Sequence, residues 1–460
     1  MAGILINNNF SADIDVDCLI VGGGAAGLTA ALAAKDRGFD VLVAEREDRL
    51  SGSTALSSGL IPAAKTKAQS RQNLDDDHDI FTADIMAKNK NKADPAHVHR
   101  CVHTVGKAID WLEESHNIPF HVLDGFLYPG HNRYRMHAVP EVTGASLVTR
   151  LEEAAVNRDI LISCSLKITD LVLSEEGQIK GAKAIRPDGT VETIGAPAII
   201  LACNGYGGSP ELVTKHIPEM KDALYFGHTG NQGEAILWGE ELGAELLHLS
   251  GYQGHGSVAH PHGVLVTWAL MMEGGIQVNI HGQRFSNEHE GYSEQAVNVL
   301  SQPQQTAFNI FDSRLLKMGR EFEDFRNAEE AKAVITADTL DDLAGKIGLP
   351  AEPLTKTIVN CAEHAAQGAP DTFGRVFEKD KLLSPPYAAV KVTGALFHTQ
   401  GGLAIDDKAR VLKKDGTAIN GLYACGGAAC GVSGPDVSGY LSGNGLLTAL
   451  SLGFIAGNSI

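Results

Sequence analysis

The stretch Asp17-Cys-Leu-Ile-Val-Gly-Gly-Gly-Ala-Ala-Gly-Leu-Thr-Ala-Ala-Leu-Ala-Ala-Lys-Asp-Arg-Gly-Phe-Asp-Val-Leu-Val-Ala-Glu45 decides the fold of this chain. Its apolar run Cys18–Val21 predicts a short buried strand that ends in the pattern Gly22-x-Gly24-x-x-Gly27. Small and apolar residues then predict a helix over 25–35, and Val41–Ala44 predicts a second buried strand before the closing acid. Strand, glycine turn, helix, strand and acid in this order are typical of a dinucleotide-binding unit.

The three glycines and the acid each have a physical role in such a unit. Gly22 permits the tight turn, Gly24 lets the backbone approach a pyrophosphate, and Gly27 lets the helix pack close to the sheet. The helix N-terminus offers unpaired N–H groups and a partial positive charge to the phosphates. Glu45, 18 positions after Gly27, is placed to accept hydrogen bonds from a ribose hydroxyl. An ordinary βαβ unit with a tight turn is the alternative.

Composition limits the class of protein and its partners. The chain has 460 residues, enough for two domains, and its net charge of −18 argues against nucleic acid and anionic membrane surfaces as partners. The seven cysteines form no CxxC pair, and no signal-peptide pattern precedes them, so we expect a reduced, cytoplasmic protein. No CxxC or HExxH spacing suggests a metal.

The uncharged segment 440–460 is broken by glycines, which predicts a buried helix rather than an integral membrane segment.

Further glycine-rich segments follow predicted strands. Ala198–Ala202 predicts a buried strand that ends in Asn204-Gly-Tyr-Gly-Gly208, and Gly421–Gly427 predicts a third strand that opens onto glycines. The run Ser51–Gly59 is rich in small hydroxyl residues and lies where a bound dinucleotide would extend, so a ligand loop is favoured over a plain one. Residues 1–16 predict a poorly specified tail.

The segment 246–375 differs in character and predicts an inserted second domain. It begins with a cluster of histidines, continues with a predicted hairpin over 278–285 and ends in a predicted helical stretch over 340–366. Ahead of it, a basic cluster either receives a substrate carboxylate or forms a solvated loop. That cluster comprises His131, Arg133, Arg135 and His137.

Several stretches together resemble one family, the flavoproteins of the fumarate reductase and 3-ketosteroid dehydrogenase type. They lie in family order and span nearly the whole chain. The matching stretches are Gly22–Gly27 with Glu45, Gly52–Gly59, Ile199–Gly208, Gln253–His255, Gly282–Glu288, His398–Gly402 and Gly421–Gly427.

The resemblance implies an α/β fold, with a Rossmann-like FAD-binding domain and an inserted α+β capping domain. The implied division is 1–245 for the first part of the FAD-binding domain, 246–375 for the capping domain and 376–460 for the C-terminal part. Some relatives attach FAD through a histidine in the loop that here is Gly52-Ser-Thr-Ala, so non-covalent FAD is expected. The implied cofactor-binding residues are Gly22, Gly24, Ala25, Ala26, Gly27, Glu45, Arg46, Gly52, Ser53, Thr54, Ser57, Ser58, Gly59, Asn204, Gly205, Gly402, Gly426, Gly443, Gly445 and Leu446.

Departures from the family pattern bear on the substrate. Where fumarate reductases carry a carboxylate and an arginine that relay a proton, this chain has Trp268 and Met271. Where fumarate reductases bind a substrate carboxylate with an arginine, this chain has Tyr440. A tyrosine does not replace the guanidinium cation, which binds a carboxylate through two hydrogen bonds. Fumarate and succinate are therefore disfavoured. The segment Gly439–Gly443 instead resembles 3-ketosteroid 4-dehydrogenases, which place a tyrosine and a nearby serine there as base and relay.

The resemblance implies catalytic roles for Tyr440 as base, Ser442 as relay, Arg284 and His398. It also implies a substrate site formed by His255, Trp268 and Met271. Two alternatives remain open at this point. In the first, Arg284 is structural and forms an ion pair with Glu288 at the base of a hairpin. In the second, Trp268 and Met271 only pack in a core.

These features predict an FAD-dependent oxidoreductase acting on CH–CH groups. The favoured reaction is α,β-desaturation of a ketone, cyclic or steroid-like, with hydride transfer to flavin N5 and proton abstraction by the tyrosine. One alternative is an ene-reductase for an unsaturated acid or ketone, which is fumarate-reductase-like. A further alternative is a flavin-binding protein without turnover. The expected partners are a small-molecule substrate and an electron acceptor that the sequence does not name.

Overall fold

A computed structural model describes residues 3–125 and 127–460. The chain divides into two compact units. The first comprises Met1–Pro218, Gly227–Tyr252 and His398–Ile460, and the second comprises Glu219–Phe226 and Gln253–Phe397. The assignment of FAD-binding and capping domains to 1–245, 246–375 and 376–460 stays a prediction.

The β-strands of the described residues are numbered here in chain order. They are Gly3–Ile6 (β1), Ile14–Asp15 (β2), Cys18–Val21 (β3), Val41–Ala44 (β4), Ile61–Pro62 (β5), His121–Leu123 (β6), Met136–Ala138 (β7), Leu161–Ser163 (β8), Lys167–Leu173 (β9), Ile179–Ile185 (β10), Val191–Gly195 (β11), Ala198–Leu201 (β12), Leu224–Tyr225 (β13), Leu246–Leu247 (β14), Tyr252–Ala259 (β15), Val264–Leu265 (β16), Ile276–Val278 (β17), Thr306–Asp312 (β18), Val334–Ala337 (β19), Tyr387–Thr399 (β20), Gly402–Leu403 (β21), Arg410–Leu412 (β22) and Ala418–Ala424 (β23).

The α-helices are numbered in the same way. They are Ala25–Asp36 (α1), Gly52–Ala55 (α2), Lys67–Arg71 (α3), His78–Lys88 (α4), Pro95–His116 (α5), Gly144–Val156 (α6), Pro210–His216 (α7), Glu234–Glu241 (α8), Ala269–Met272 (α9), Tyr292–Leu300 (α10), Ser313–Gly319 (α11), Glu323–Glu330 (α12), Leu340–Ile347 (α13), Ala351–Gln367 (α14) and Asn444–Gly457 (α15).

A six-stranded sheet organises the first unit, in the order β22-β23-β12-β3-β4-β8. β3 pairs in parallel with β4 on one side and with β12 on the other, and β12 pairs in parallel with β23. All four residues of β3 and of β4 are buried, which explains their continuous apolar sequence. The three strands that lead into glycine segments, β3, β12 and β23, are consecutive and parallel in this sheet, so their carboxyl ends share one edge.

Helix α1 lies against this sheet because small residues allow a close approach. The helix is buried on all sides from Ala25 to Ala34, and a Cβ added at Gly27 would lie 2.0 Å from the carbonyl oxygen of Gly22. The helix ends before Gly38, whose φ of 91° is in the left-handed region. The strand–turn–helix–strand unit predicted from sequence is therefore confirmed.

The C-terminal segment forms α15, which confirms the predicted buried helix. Added Cβ atoms at Gly453 and Gly457 would lie 2.5 and 2.2 Å from the carbonyl oxygens of Ala26 and Ala30. These glycines let α15 pack directly on α1. Among the described residues, no helix combines the length and the apolar character needed to cross a membrane.

A five-stranded sheet in the order β1-β9-β10-β11-β2 corrects the prediction of an N-terminal tail. β1 pairs in parallel with β9, and β2 pairs in parallel with β11. The apolar side chain of Ile4 packs against the core of the first unit. The prediction was wrong because these short strands are stabilised by partners more than 160 residues away, which a local pattern does not reveal.

The second unit contains a sheet in the order β16-β15-β20-β18-β17, and β13 and β19 also pair with β20. Buried residues form two apolar clusters, one that includes Phe311 and Phe325 and one that includes Leu343 and Leu354. The hairpin predicted over 278–285 is wrong. β17 pairs with β18, and the chain after β17 makes only a turn, closed by the bond from Asn279 N–H to the carbonyl oxygen of Gln283 (2.9 Å).

Candidate active site

The glycine turn after β3 is closed by Glu45 at the end of β4. The N–H of Gly23 donates to Glu45 Oε2 (2.8 Å), and the N–H of Glu47 donates to Glu45 Oε1 (3.0 Å). Gly22 has a φ of 110°, and an added Cβ there would lie 2.6 Å from the carbonyl oxygen of Ala202, directly after β12. The turn is tight because glycine has no side chain to clash with the neighbouring strand exit.

The start of α1 lies against the loop that is rich in serine and threonine. Gly24 precedes the helix without a side-chain capping bond, and Ala26 lies buried in the first turn. The N–H of Ala25 donates to Thr54 Oγ1 (3.1 Å), which ties the serine- and threonine-rich loop to the helix. The other N–H groups of the first turn and the partial positive charge of the helix N-terminus suit a phosphate.

The loop 52–59, which contains α2, is held by hydrogen bonds on both sides. Ser53 Oγ accepts from Asn204 Nδ2 and from Asn231 Nδ2, each at 2.9 Å. Ser57 Oγ donates to the carbonyl oxygen of Thr54 (2.7 Å) and accepts from the N–H of Gly59 (3.1 Å). The predicted ligand loop and the Asn204 glycine segment are therefore brought together.

Three other predicted cofactor residues, all glycines, mark close backbone contacts. An added Cβ would lie 1.9 Å from Thr399 Oγ1 at Gly205, 2.6 Å from the carbonyl oxygen of Ala428 at Gly402, and 2.8 Å from Ala26 Cβ at Gly426. Among the remaining predicted cofactor residues, Gly52 has a φ of 63° and begins α2, Ser58 is exposed, and Leu446 is partly buried in the first turn of α15.

Arg46 lies directly after Glu45, and protein groups hold its guanidinium. It donates to the carbonyl oxygen of Gly230 (2.6 Å) and forms an ion pair with Glu234. Its assignment as a cofactor contact stays a prediction.

Tyr440 is buried beside the N-terminus of α15. The backbone amides of Gly445 and Gly443 donate to its phenol oxygen. Burial raises the pKa of this phenol, and the two amides act in the opposite direction without reversing the shift. The phenol is therefore neutral near pH 7. Gly443 precedes α15 with a φ of 86°, a conformation that glycine adopts without strain.

His398 lies next to Tyr440, and their ring centroids are 5.5 Å apart at an interplanar angle of 80°. Burial lowers the pKa of His398 to about 4, so the ring is neutral near pH 7. Gln400 Nε2 lies 2.8 Å from His398 Nδ1, and the carbonyl oxygen of Thr399 lies 3.3 Å from the same nitrogen. The shorter contact, in which the amide N–H donates, favours the ring proton on Nε2. Sequence reasoning missed Gln400, although it lies inside the stretch His398–Gly402.

Ser442 is buried two residues after Tyr440, and its carbonyl oxygen accepts from His131 Nε2 (3.0 Å). The relay role of its hydroxyl stays a prediction.

The basic cluster at 131–137 is divided: Arg133 is exposed, whereas Arg135 and His137 are buried and paired with protein groups. Arg135 is 1 % exposed and forms ion pairs with Asp76 (2.9 Å) and Asp84 (2.8 Å). His137 is buried and lies 2.7 Å from Thr66 Oγ1. Sequence reasoning did not identify the acids that neutralise Arg135, because they lie more than 50 residues away.

In the second unit, Arg284 lies in a buried ion network. It donates to Glu288 through Nε (2.9 Å) and Nη2 (2.6 Å) and pairs with Asp371, and Arg375 donates to Glu288 (2.9 Å). Burial alone would raise the pKa of Glu288, but the two guanidinium groups outweigh it and hold the pKa at about 2. These contacts favour the ion-pair alternative for Arg284, and its catalytic role stays a prediction.

His255 is enclosed by aromatic rings of the second unit. It stacks on Tyr292 (centroids 4.8 Å apart) and Phe397 (5.3 Å), and it meets Trp268 edge-on (5.8 Å). Burial lowers the pKa of His255 to about 3. Trp268 and Met271 belong to one apolar cluster, which favours the packing alternative for them. Their role in substrate binding stays a prediction.

The residues around α1 and α15 fit a dinucleotide with a polar ring system. The glycine turn lies beside the start of α1, and at Gly24 an added Cβ would meet only Thr54 Oγ1, at 3.5 Å. At the start of α15, Asn444 Oδ1 is a buried acceptor without a hydrogen-bond partner among the described residues. A buried acceptor of this kind suits a ligand N–H donor. Metal-binding groups of three or more acids, histidines or cysteines are absent from the described residues.

Comparison with known proteins agrees with this geometry. The family described as FAD binding domain matches residues 17–446, and the chain belongs to this family. It is 28 % identical over 445 residues to the probable fumarate reductase Ifc3 of Shewanella frigidimarina, covering 96 % of this chain and 74 % of that protein. The open conformation of a flavocytochrome c3 fumarate reductase aligns with a TM-score of 0.82 and 27 % identity, covering 98 % of this chain and 78 % of the other.

The 3-ketosteroid-Δ4-(5α)-dehydrogenase of Rhodococcus jostii aligns with a TM-score of 0.78 and 24 % identity. This alignment covers 100 % of this chain and 99 % of the other, and at this identity it supports the fold alone. The protein is therefore an FAD-dependent oxidoreductase acting on CH–CH groups, and fumarate reductases are among its relatives. The predicted fold class and cofactor are confirmed.

Proposed function

We propose that this protein desaturates a ketone between its α and β carbons, and that the ketone is cyclic or steroid-like. The observation that carries the proposal is the pairing of Tyr440 with His398 (ring centroids 5.5 Å apart) beside the glycine-flanked start of α15. Bound FAD supplies the acceptor for the hydride that leaves the β carbon.

His398 provides a neutral N–H donor for the ketone oxygen. The ring is neutral because burial lowers its pKa to about 4, and its proton is on Nε2 because Nδ1 accepts from Gln400. As the α proton leaves, negative charge develops on the ketone oxygen. A donor already oriented toward that oxygen stabilises the charge without reorganisation.

Tyr440 accepts the α proton. The phenol must first lose its own proton, and the proposed route is through Ser442. The amides of Gly443 and Gly445 favour the anion because they already donate to the phenol oxygen. A base is most effective when its pKa lies near the working pH. The two amides lower the pKa of the phenol toward that range, whereas burial raises it.

A second candidate is reduction of an unsaturated ketone or acid by the same residues. The raised pKa of Tyr440 favours it, since a neutral phenol already carries the proton that reduction must deliver. Similarity to the probable fumarate reductase of Shewanella frigidimarina points the same way. Fumarate itself is disfavoured, because a tyrosine stands at 440 and His398 is neutral, so neither offers a cation to a carboxylate.

Anaerobic stopped-flow measurement separates the two directions. For a desaturase, a saturated cyclic ketone should bleach the flavin of the oxidised enzyme. If only the chemically reduced enzyme reacts, with an unsaturated ketone or acid, the reductase candidate is correct. Fumarate reduction at roughly 1–1000 per second, the usual enzymatic range, would contradict the proposed substrate class.

Tyr440→Phe tests the base directly, because it keeps the ring and removes the hydroxyl. The variant should keep its flavin spectrum and lose at least ~100-fold in the rate of flavin reduction, as expected when general-base catalysis is removed. Tyr423→Phe is the matched control in the same unit, since its hydroxyl only donates to the carbonyl oxygen of Ser459 (3.4 Å). Near-parental rates in Tyr440→Phe would leave Tyr440 as a packing residue.

A further inference from the structure

We propose that Gln400 is a positioning residue that holds His398 in its Nε2–H tautomer, as the last donor of a hydrogen-bond chain that starts at Asn444. This inference rests on the proposed function in one respect, the role of His398 Nε2–H as the donor to the ketone oxygen. The tautomer itself is a property of the protein without substrate.

The chain has one consistent direction. Asn444 Nδ2 donates to Ser433 Oγ (2.9 Å), and Ser433 Oγ donates to Gln400 Oε1 (2.7 Å). Gln400 Nε2 then donates to His398 Nδ1 (2.8 Å). With its oxygen toward Ser433, the Gln400 amide turns its nitrogen toward the imidazole.

The three residues of the chain are shielded from water, which would otherwise offer alternative partners. Gln400 is 5 % exposed, Ser433 is 1 % exposed and Asn444 is 0 % exposed. The backbone of Gln400 is held as well, since its N–H donates to the carbonyl oxygen of Gly251 (2.8 Å) and its carbonyl accepts from the N–H of Gly431 (2.9 Å). Reversing the Gln400 amide would put its oxygen on Nδ1 and so require the ring proton there, which is why the orientation of this amide sets the tautomer.

The tautomer matters because the two imidazole nitrogens have opposite polarity in the neutral ring. With Nδ1 bound by Gln400, Nε2 carries the proton and acts as a donor. In the other tautomer, Nε2 would be a bare acceptor and would repel an oxygen that gains negative charge. The ring edge lies close to the backbone of Gly445, where an added Cβ would be 2.9 Å from His398 Cε1 and 3.1 Å from Nε2.

The first test reads the tautomer without substrate. The FAD-loaded protein is labelled with ¹⁵N-histidine, and the His398 signals are identified as those missing from His398→Asn. The parent should show a protonated Nε2 and a bare Nδ1. Gln400→Met removes the donor and should give a mixture of tautomers, and Gln400→Glu should move the proton to Nδ1 or protonate the ring. An unchanged Nε2–H signal in both variants would overturn the proposal.

The second test reads the reaction. Gln400→Glu should slow flavin reduction by the cyclic ketone by at least ~10-fold, with the loss in kcat rather than KM, because it acts on the developing oxyanion. Its pH profile should gain an ionisation that the parent lacks, since a carboxylate beside imidazole favours the charged ring. Gln69→Met is the matched control, as Gln69 is another buried, hydrogen-bonded glutamine of the same unit. It should leave the His398 signals unchanged.

Two further outcomes are informative. If the Gln400 variants fail to fold, Ser433→Ala is tested instead. It removes the hydroxyl that contacts Gln400 Oε1, so that the Gln400 amide is free to rotate. A fully retained Nε2–H tautomer in Ser433→Ala would then contradict the proposed chain. If the tautomer responds as expected but no ketone reduces the flavin, the proposed substrate class fails while the positioning role of Gln400 stands.

Discussion

Gly23 and Glu45 are joined by a hydrogen bond of 2.8 Å from the backbone N–H of the glycine to the carboxylate of the acid. The bond connects the turn after β3 to the end of β4, the next strand of the sheet. Glu45 therefore organises the turn in addition to its predicted contact with the FAD ribose. Removing its carboxylate affects both the shape of the site and its affinity for the cofactor.

Glu45→Ala should weaken FAD binding by about 1.5–3 kcal/mol, the usual loss for hydrogen bonds to a charged group. Titration of the apoprotein with FAD, followed by flavin fluorescence, measures the change. Glu47→Ala is the control. Glu47 donates to Glu45 through its backbone N–H, and an alanine at this position keeps that bond. Unchanged affinity in Glu45→Ala would remove this residue from the cofactor site.

Non-covalent attachment of FAD is expected, because the loop Gly52-Ser-Thr-Ala offers no histidine. Precipitation with acid unfolds the protein and should release all the flavin into the supernatant, where its absorbance is measured. Yellow colour that remains in the washed pellet would contradict this prediction.

Gly445→Ala should displace the ring of His398 from Tyr440. The new methyl group would lie 2.9 Å from His398 Cε1, closer than side-chain carbons pack. We expect flavin reduction to slow by at least ~10-fold, since a small misplacement of a catalytic group has large effects. Gly345→Ala is the control. Its added Cβ meets no atom within 4 Å inside α13, so it should keep full activity and gain about 0.5–1 kcal/mol of stability.

Arg135→Met should destabilise the first unit by about 3–5 kcal/mol, because Asp76 and Asp84 would remain buried without their cation. Denaturant titration followed by fluorescence measures the loss. Arg150→Met breaks an exposed ion pair with Glu141 and should change stability by less than about 1 kcal/mol. Equal effects of the two substitutions would show that the buried network does not stabilise the fold.

Stability should fall in acid through protonation of Glu288. Its pKa is held at about 2 in the folded protein, below the value of about 4.3 for a free glutamate. A depressed pKa stabilises the folded state above the unfolded pKa, and this stabilisation is lost as the pH falls from about 4.3 toward 2. Denaturant titrations over this range should show a steeper loss for the parent than for Glu288→Gln. Parallel curves for the two proteins would refute this contribution.

Local patterns in the sequence determine much of this protein. The buried strands Cys18–Val21 and Val41–Ala44, the helix between them and the position of Glu45 follow from residues within a few turns of one another. Their spacing predicts an FAD-binding unit, because hydrophobic period and glycine placement are properties of neighbouring residues. The terminal helix α15 is predictable for the same reason.

Only the tertiary structure decides which distant groups meet. Strand β1 has its partner in β9, and Arg135 has its counter-charges in Asp76 and Asp84. Gln400 lies only two residues from His398, but Ser433 and Asn444, the other members of the same hydrogen-bond chain, are brought there by the fold. Such pairings have no local signature, because burial and donor direction are set by the whole packed chain and not by the residues beside them.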